Sequence, residues 1–243
     1  MAPEIVLMGF YLSVLLYAVI IHEVSHGVVA LWLGDNTAKY AGRLSLRPGS
    51  HIDPIGSILV PVLMLFVTGF KFAFGWAKPV PYNPYNLRNQ RWGPVGVALA
   101  GPGSNFLMAF IAAILGKVLP IALAEKMDIL NRFIVLTQGS GDWTDRWGNL
   151  AQAMSGSVGS VFFGLLMMII FWNVILGTFN LIPIPPLDGS KLLFSIFNFR
   201  PETVALFEQY GFIVLLILIL SPLGALVSIP MVWALSFFFR IAL

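Results

Sequence analysis

The strongest limit on this chain is a run of 29 residues, Ile5 to Leu33, in which Glu23 is the only charged side chain. At 1.5 Å per residue such a run exceeds the roughly 20 residues that span the hydrocarbon of a bilayer. Backbone amides in lipid have no water to bond. Only helices and closed barrels satisfy them, and a continuous apolar run of this length reads as a helix. Comparable runs recur at Pro94 to Leu119, Val158 to Leu181, Val204 to Leu220 and Leu223 to Phe239. With 58% hydrophobic and only 10% charged residues, the chain as a whole fits the same reading. The expected fold class is an α-helical polytopic membrane protein with about five to six transmembrane helices. One membrane-embedded domain is expected over residues 1–243, with a core at 5–190 and a C-terminal helical pair at 204–240. The N-terminus lacks the basic start and small-residue cleavage site of a signal peptide, so it is expected to stay in the mature protein.

The segments between these runs are shorter and more varied. Ala38 to Pro54 is polar and turn-rich, and the alternation in "GRLSLR" suggests a short strand or hairpin. Ala122 to Gly156 reads as an interfacial loop with room for one amphipathic helix. Ile55 to Gly75 is long enough to cross but is interrupted by Pro61, Gly69 and Lys71, and it leads into the proline-rich "GWAKPVPYNPYN". The 14 basic and 11 acidic residues are scattered between apolar segments. That distribution gives no basic patch and excludes a nucleic-acid partner. The tryptophans, Trp143 and Trp147 among them, read as interfacial belt residues.

Against this background "IIHEVSHGVVA" is anomalous, because two histidines and a glutamate inside an apolar helix cost several kcal/mol unless something satisfies them. His22 and His26 are four apart, so on a helix they share one face and can reach one metal ion. In H-E-x-x-H the histidines hold zinc, and the glutamate takes a proton from water at the metal. Zinc lowers the pKa of that water to roughly 7. Such a site needs a third protein ligand and an open position. There is no cysteine in the chain, which excludes thiolate ligands and disulfides. His51 lies in a polar turn beside Asp53 and Pro54 and reads as structural. Asp188 is the one other carboxylate in strongly apolar surroundings. It follows "FNLIPIPPL", where Pro183, Pro185 and Pro186 remove backbone donors and break any helix. Such a break is tolerated only where it packs in protein or lines a wet cavity. Asn180 supplies that cavity with a neutral donor of the kind that steadies an oxyanion.

The H-E-x-x-H helix, the later A-G-P-x-x-N-F helix (Ala100 to Phe106) and the segment N-L-x-P-x-x-P-L-D-G together resemble the site-2 protease family of intramembrane zinc metalloproteases. The resemblance covers residues 5 to 190, in a compact form without PDZ-like or CBS-like domains. It implies a zinc metalloendopeptidase with His22, His26 and Asp188 as Zn2+ ligands, Glu23 as general base and acid, and Asn180 as oxyanion helper. It implies a lipid bilayer as surroundings, a transmembrane protein or peptide as substrate, and room for a regulatory membrane partner. By the same resemblance, a membrane-embedded β-hairpin or edge strand near the site is expected, with Phe74 to Pro84 able to supply it. Asn105 belongs to the family pattern but is read here as a packing and capping residue.

If Asp188 meets the two histidines, the first helix and the Val158 helix deliver their ends to one side of the bilayer. With the Pro94 helix crossing between them, Ile55 to Gly75 is expected to re-enter rather than cross. The site side then carries Lys39, Arg43, Arg47, Lys78, Arg88, Arg91, Lys191, Arg200 and Arg240, against Lys117, Lys126, Arg132 and Arg146 on the other. Nine against four, with Lys71 unassigned, places the site toward the cytoplasm, and a prokaryotic cell membrane is the expected location. The alternative is a polytopic metal transporter, whose polar residues would form a relay along the membrane normal instead of one cluster.

Overall fold

The computed structural model describes residues 3–67, 75–139, 142–197 and 199–243. Its helices are α1 (Pro3–Trp32), α2 (Thr37–Tyr40), α3 (Val60–Val67), α4 (Gly93–Val118), α5 (Leu123–Gln138), α6 (Trp143–Met154), α7 (Val158–Asn180), α8 (Gly189–Phe197), α9 (Pro201–Leu220) and α10 (Gly224–Ala242). Five of them, α1, α4, α7, α9 and α10, are long and apolar enough to cross a membrane. No strand occurs among the described residues. The chain falls into two compact units: residues 1–18, 105–179 and 216–243 form the first, and residues 19–104 and 180–215 the second.

Apolar and aromatic side chains hold the first unit. Phe133, Phe163, Met167, Met168 and Ile170 are fully buried in one cluster. Tyr11 stands edge-on to Trp147 with centroids 5.5 Å apart and tilts against Trp172 at 5.0 Å. Gly177 lies under Phe106, where an added Cβ would be 3.1 Å from the ring, so a small residue sets the spacing of α4 and α7. Two asparagines and a lysine buried in this unit are satisfied by backbone carbonyls and by one another. Asn105 Nδ2 donates to Ala18 O at 3.2 Å and to Asn173 Oδ1 at 2.9 Å, and Asn173 Nδ2 donates to Ile169 O at 2.9 Å. Lys126 Nζ donates to Gly116 O at 2.8 Å and Lys117 O at 3.1 Å, carbonyls of the last turn of α4.

Two expectations are corrected in this unit. The stretch read as an interfacial loop contains α5 and α6. Their apolar faces are narrow: Ile129, Leu130, Phe133 and Leu136 on one, and Trp147, Leu150 and Met154 on the other. Gly139 ends α5 at φ 75°, and Asp142 opens α6 by accepting from Thr144 N at 2.8 Å. Arg240 was expected on the site side. Phe238 stacks on Phe106, and Ala242 lies where a Cβ on Gly116 would be 3.2 Å away, so α10 runs parallel to α4 and Arg240 sits toward the end that carries Lys117.

The second unit contains most of the irregular backbone. After a π-helical turn at Pro54–Leu59 the chain continues as α3, Val60–Val67. By Trp76 the chain is back at its starting point. Trp76 N donates to Gly56 O at 3.0 Å, and Ser57 Oγ donates to Trp76 O at 2.8 Å. Trp76 thus stands beside Gly56, which is the proximity that the expected re-entry requires.

From Gly75 to Asn83 the backbone is irregular, and alternate residues bond to the body of the unit. Lys78 N donates to His51 O at 2.8 Å, Lys78 O accepts from Arg43 Nη2 at 2.7 Å, and Val80 N donates to Glu23 Oε2 at 2.9 Å. The expected hairpin is not seen here, and Phe74 lies outside the described residues. The reason is chemical: these bonds are taken by loops and side chains, and Pro79 and Pro81 have no N–H for a ladder. The "GRLSLR" stretch likewise forms no strand; a 3-10 turn follows it at Pro48–Ser50.

Candidate active site

Three backbone elements of the second unit bring the polar residues together. On α1, His22 and His26 occupy one face, with ring centroids 4.7 Å apart. Segment 75–83 packs on the same helix one turn beyond Glu23. A Cβ at Gly27 would be 2.6 Å from the Leu44 side chain, 2.8 Å from that of Val80 and 3.1 Å from that of Ala38, so glycine there leaves room for the segment whose Val80 N–H reaches Glu23. The third element is the break after α7. Residues 181–188 form a series of tight turns, with Leu187 N bonded to Ile184 O at 3.0 Å, and Gly189 presses against the backbone of Leu181 and Ile182 with no space for a side chain. That closure is why the sequence needs D-G at the end of the proline run. It delivers Asp188 just ahead of α8.

Asp188 Oδ2 lies 3.1 Å from Nε2 of both His22 and His26. All three residues are nearly inaccessible, at 5%, 8% and 8% exposure for His22, His26 and Asp188. His26 Nδ1 donates to Val97 O at 2.6 Å, which directs its Nε2 lone pair toward Asp188. One carboxylate oxygen therefore meets two imidazole nitrogens, that of His26 as an acceptor, and such a cluster out of water needs protons or a cation between its members. Ligands held about 2.0–2.1 Å from a tetrahedral zinc lie about 3.3 Å from one another, close to the spacing found here. The donor set thus fits the ion. Ligand atoms of His22, Glu23 and His26 also lie within 4.8 Å of one another. The space beside the histidines depends on Gly101, where an added Cβ would stand 2.5 Å from His26 Nε2 and 2.6 Å from His22 Nε2.

Of the residues predicted from the sequence, His22, Glu23, His26 and Asp188 come together. Asn180 ends α7 as a half-buried residue, beside the turn that Gly189 closes. His51 stays outside the cluster, buried, with Nε2 donating to Ser45 O at 2.7 Å. Asn105 bonds within the first unit as described above. The sequence reading missed Gly101, Val97, Val80 and Lys191. Gly101 carried a signal, since it lies within A-G-P-x-x-N-F.

Comparison with known proteins agrees with the motifs. Residues 75–221 match peptidase family M50. The chain is 34% identical over 227 residues to the "Putative zinc metalloprotease YwhC" of Bacillus subtilis (strain 168), covering 93% of this chain and 86% of that one. It is 27% identical over 210 residues to the "Putative zinc metalloprotease Rip2" of Mycolicibacterium smegmatis, covering 85% and 65% respectively. No solved structure matches the chain. A transporter is not favoured by these relatives. With the five apolar helices, they make this a multi-pass membrane protein, and the chain belongs to peptidase family M50, the site-2 proteases, as a zinc metalloprotease.

Proposed function

We propose that the protein is an intramembrane endopeptidase that hydrolyses peptide bonds within or near the transmembrane segments of membrane-protein substrates. In this reading His22, His26 and Asp188 hold the metal, Glu23 moves the proton and Asn180 steadies the oxyanion. The observation that carries it is the convergence of Asp188 Oδ2 on two imidazole nitrogens at 3.1 Å, across 166 residues of chain. When bound, zinc would polarise the scissile carbonyl and make hydroxide available near neutral pH.

The remaining chemistry belongs to the chain. Val80 N–H holds one oxygen of Glu23, which fixes the carboxylate while its other oxygen takes a proton from the attacking water. The same oxygen then delivers that proton to the leaving amide nitrogen. Asn180 offers an amide donor to the charge that develops on the carbonyl oxygen. His26 is kept in one tautomer by Val97 O. A helical substrate must unwind to expose its backbone. The outward edge of segment 75–83, at Ala77, Pro79 and Pro81, carries one N–H and three carbonyls, so a strand docking there would supply most of the donors. Moving Arg240 changes the basic count to eight on the site side against five, which still favours a cytoplasmic site.

Glu23→Gln tests the assignment. The expected outcome is retained stoichiometric zinc with cleavage of a bilayer-reconstituted transmembrane peptide slowed about 10²- to 10⁴-fold. Cleavage at the wild-type rate by the variant would end this reading.

A further inference from the structure

Asp188 has two oxygens, and their surroundings differ. Oδ2 faces the two histidines, while Oδ1 accepts from Lys191 Nζ at 3.2 Å. Lys191 lies in the first turn of α8, and its own amide donates to Asp188 O at 3.0 Å, so main chain and side chain both tie it to that residue. Its ammonium also stands 5.6 Å from the centroid of the Tyr82 ring, within range of a cation–π contact. Tyr82 follows Val80 by two residues, on the segment that grips Glu23. One side chain therefore touches both the loop that supplies Asp188 and the segment that orients Glu23.

A carboxylate with both oxygens free can rotate between offering one oxygen and offering two. A charge-assisted hydrogen bond to one oxygen, about twice as strong as a neutral one, removes that freedom. The Lys191 side chain is 35% exposed against 10% for Asp188, so water screens the ammonium more than the carboxylate, and the directional bond matters more than the bare charge. Resting on the ligand assignment above, we propose that Lys191 is a positioning residue for the metal centre: it occupies Oδ1 so that Asp188 presents Oδ2 alone, and through Tyr82 it sets the Asp188 loop against the Glu23 segment.

The test uses the full-length protein in lipid nanodiscs, with Zn2+ affinity measured by chelator competition and the visible absorption of the Co2+-substituted form as a second readout. Lys191→Met keeps the apolar stem and removes the donor. It is expected to bind Zn2+ about 10- to 100-fold more weakly and to change the intensity of the Co2+ band. Lys191→Arg restores a cationic donor and is expected to recover both. Wild-type affinity with a wild-type band in Lys191→Met overturns the proposal, and so does Lys191→Arg behaving no better than Lys191→Met. Should Lys191→Met fail to fold, Lys191→Gln is measured and read in the same way. Asp188→Asn separates the two levels of inference. If it keeps the wild-type Co2+ band, the ligand assignment itself falls; if it loses the metal while Lys191→Met does not, only the role of Lys191 falls.

Discussion

The two ends of α1 work in different surroundings. Up to Ala18 its side chains meet aromatic rings, Tyr11 against Trp147 and Trp172. From Val19 onward they meet carboxylates, carbonyls and imidazoles, with His22 on Asp188, Glu23 on Val80 N–H and His26 on Val97 O. The first unit is thus largely helical, with a core that is mainly hydrocarbon. The second contains the irregular stretches, and their polar groups are bonded by Asp35, Arg43, Asp53 and Glu23. Broken backbone in a membrane protein survives only where protein or water satisfies it, so concentrating the breaks beside the chemistry leaves the other unit free to be plain packing. Substitutions beside the metal-binding residues of the second unit should change chemistry at little cost in stability, and those in the apolar core of the first unit should do the reverse.

The largest effect is expected at Gly101. A methyl group there would enter the space shared by both Nε2 atoms, at 2.5 and 2.6 Å, and α4 has little room to withdraw because Val97 O, one turn earlier, is bonded to His26 Nδ1. Gly101→Ala is expected to weaken zinc binding by about 100-fold or more, near 2.8 kcal/mol at 1.4 kcal/mol per decade, and to abolish peptidase activity with helix content unchanged. Full zinc occupancy and wild-type turnover in that variant would break the distinction between the two units on the chemical side.

Phe133 tests the other side. Its ring is wholly buried and meets Phe171 edge-on at 5.6 Å and Phe239 at 6.3 Å. Phe133→Ala is expected to cost about 3 kcal/mol through the cavity it leaves, read from unfolding in mixed micelles. The fraction that remains folded should keep its zinc and its turnover per molecule. Loss of metal without loss of stability would mean that the first unit also shapes the site.

Much of this division could be read from the sequence, and the rest depends on long-range closure. The apolar runs, the histidine pair and Asp188 stood out because each contrasts with its own neighbours in the chain. The return of the chain at Trp76 followed from parity. Gly101, Val97 and Val80 act through empty space or through backbone atoms, which every residue type carries, so residue identity gave little warning of them. Helices α5 and α6 were obscured because their polar outer faces dominate the composition. The expected hairpin failed because hydrogen bonds that a strand would exchange with a partner are used by side chains such as Glu23 and Arg43.

The smallest effect sharpens the comparison most finely. Asp35 is fully buried just past the end of α1 and accepts from Thr37 N and Oγ1 at 3.1 and 2.6 Å, Asn83 N at 2.7 Å and Asn86 Nδ2 at 2.9 Å. It therefore anchors the far end of the segment that holds Glu23. Burial alone would raise its carboxyl pKa, but the hydrogen bonds from Thr37, Asn86 and Asn83 more than offset that and hold it below the usual carboxylate value. A depressed pKa stabilises the fold at pH above the unfolded value of about 4 and loses that contribution as pH falls. Asp35→Asn turns one acceptor into a donor facing other donors, a local cost of about 1–3 kcal/mol. Turnover is expected to fall several-fold, within about tenfold, with zinc content unchanged. The stability gap to wild type should stay constant between pH 6 and 8 and narrow below about pH 4. A gap that widens on acidification would mean that the charge on Asp35 opposes the anchored segment instead of holding it.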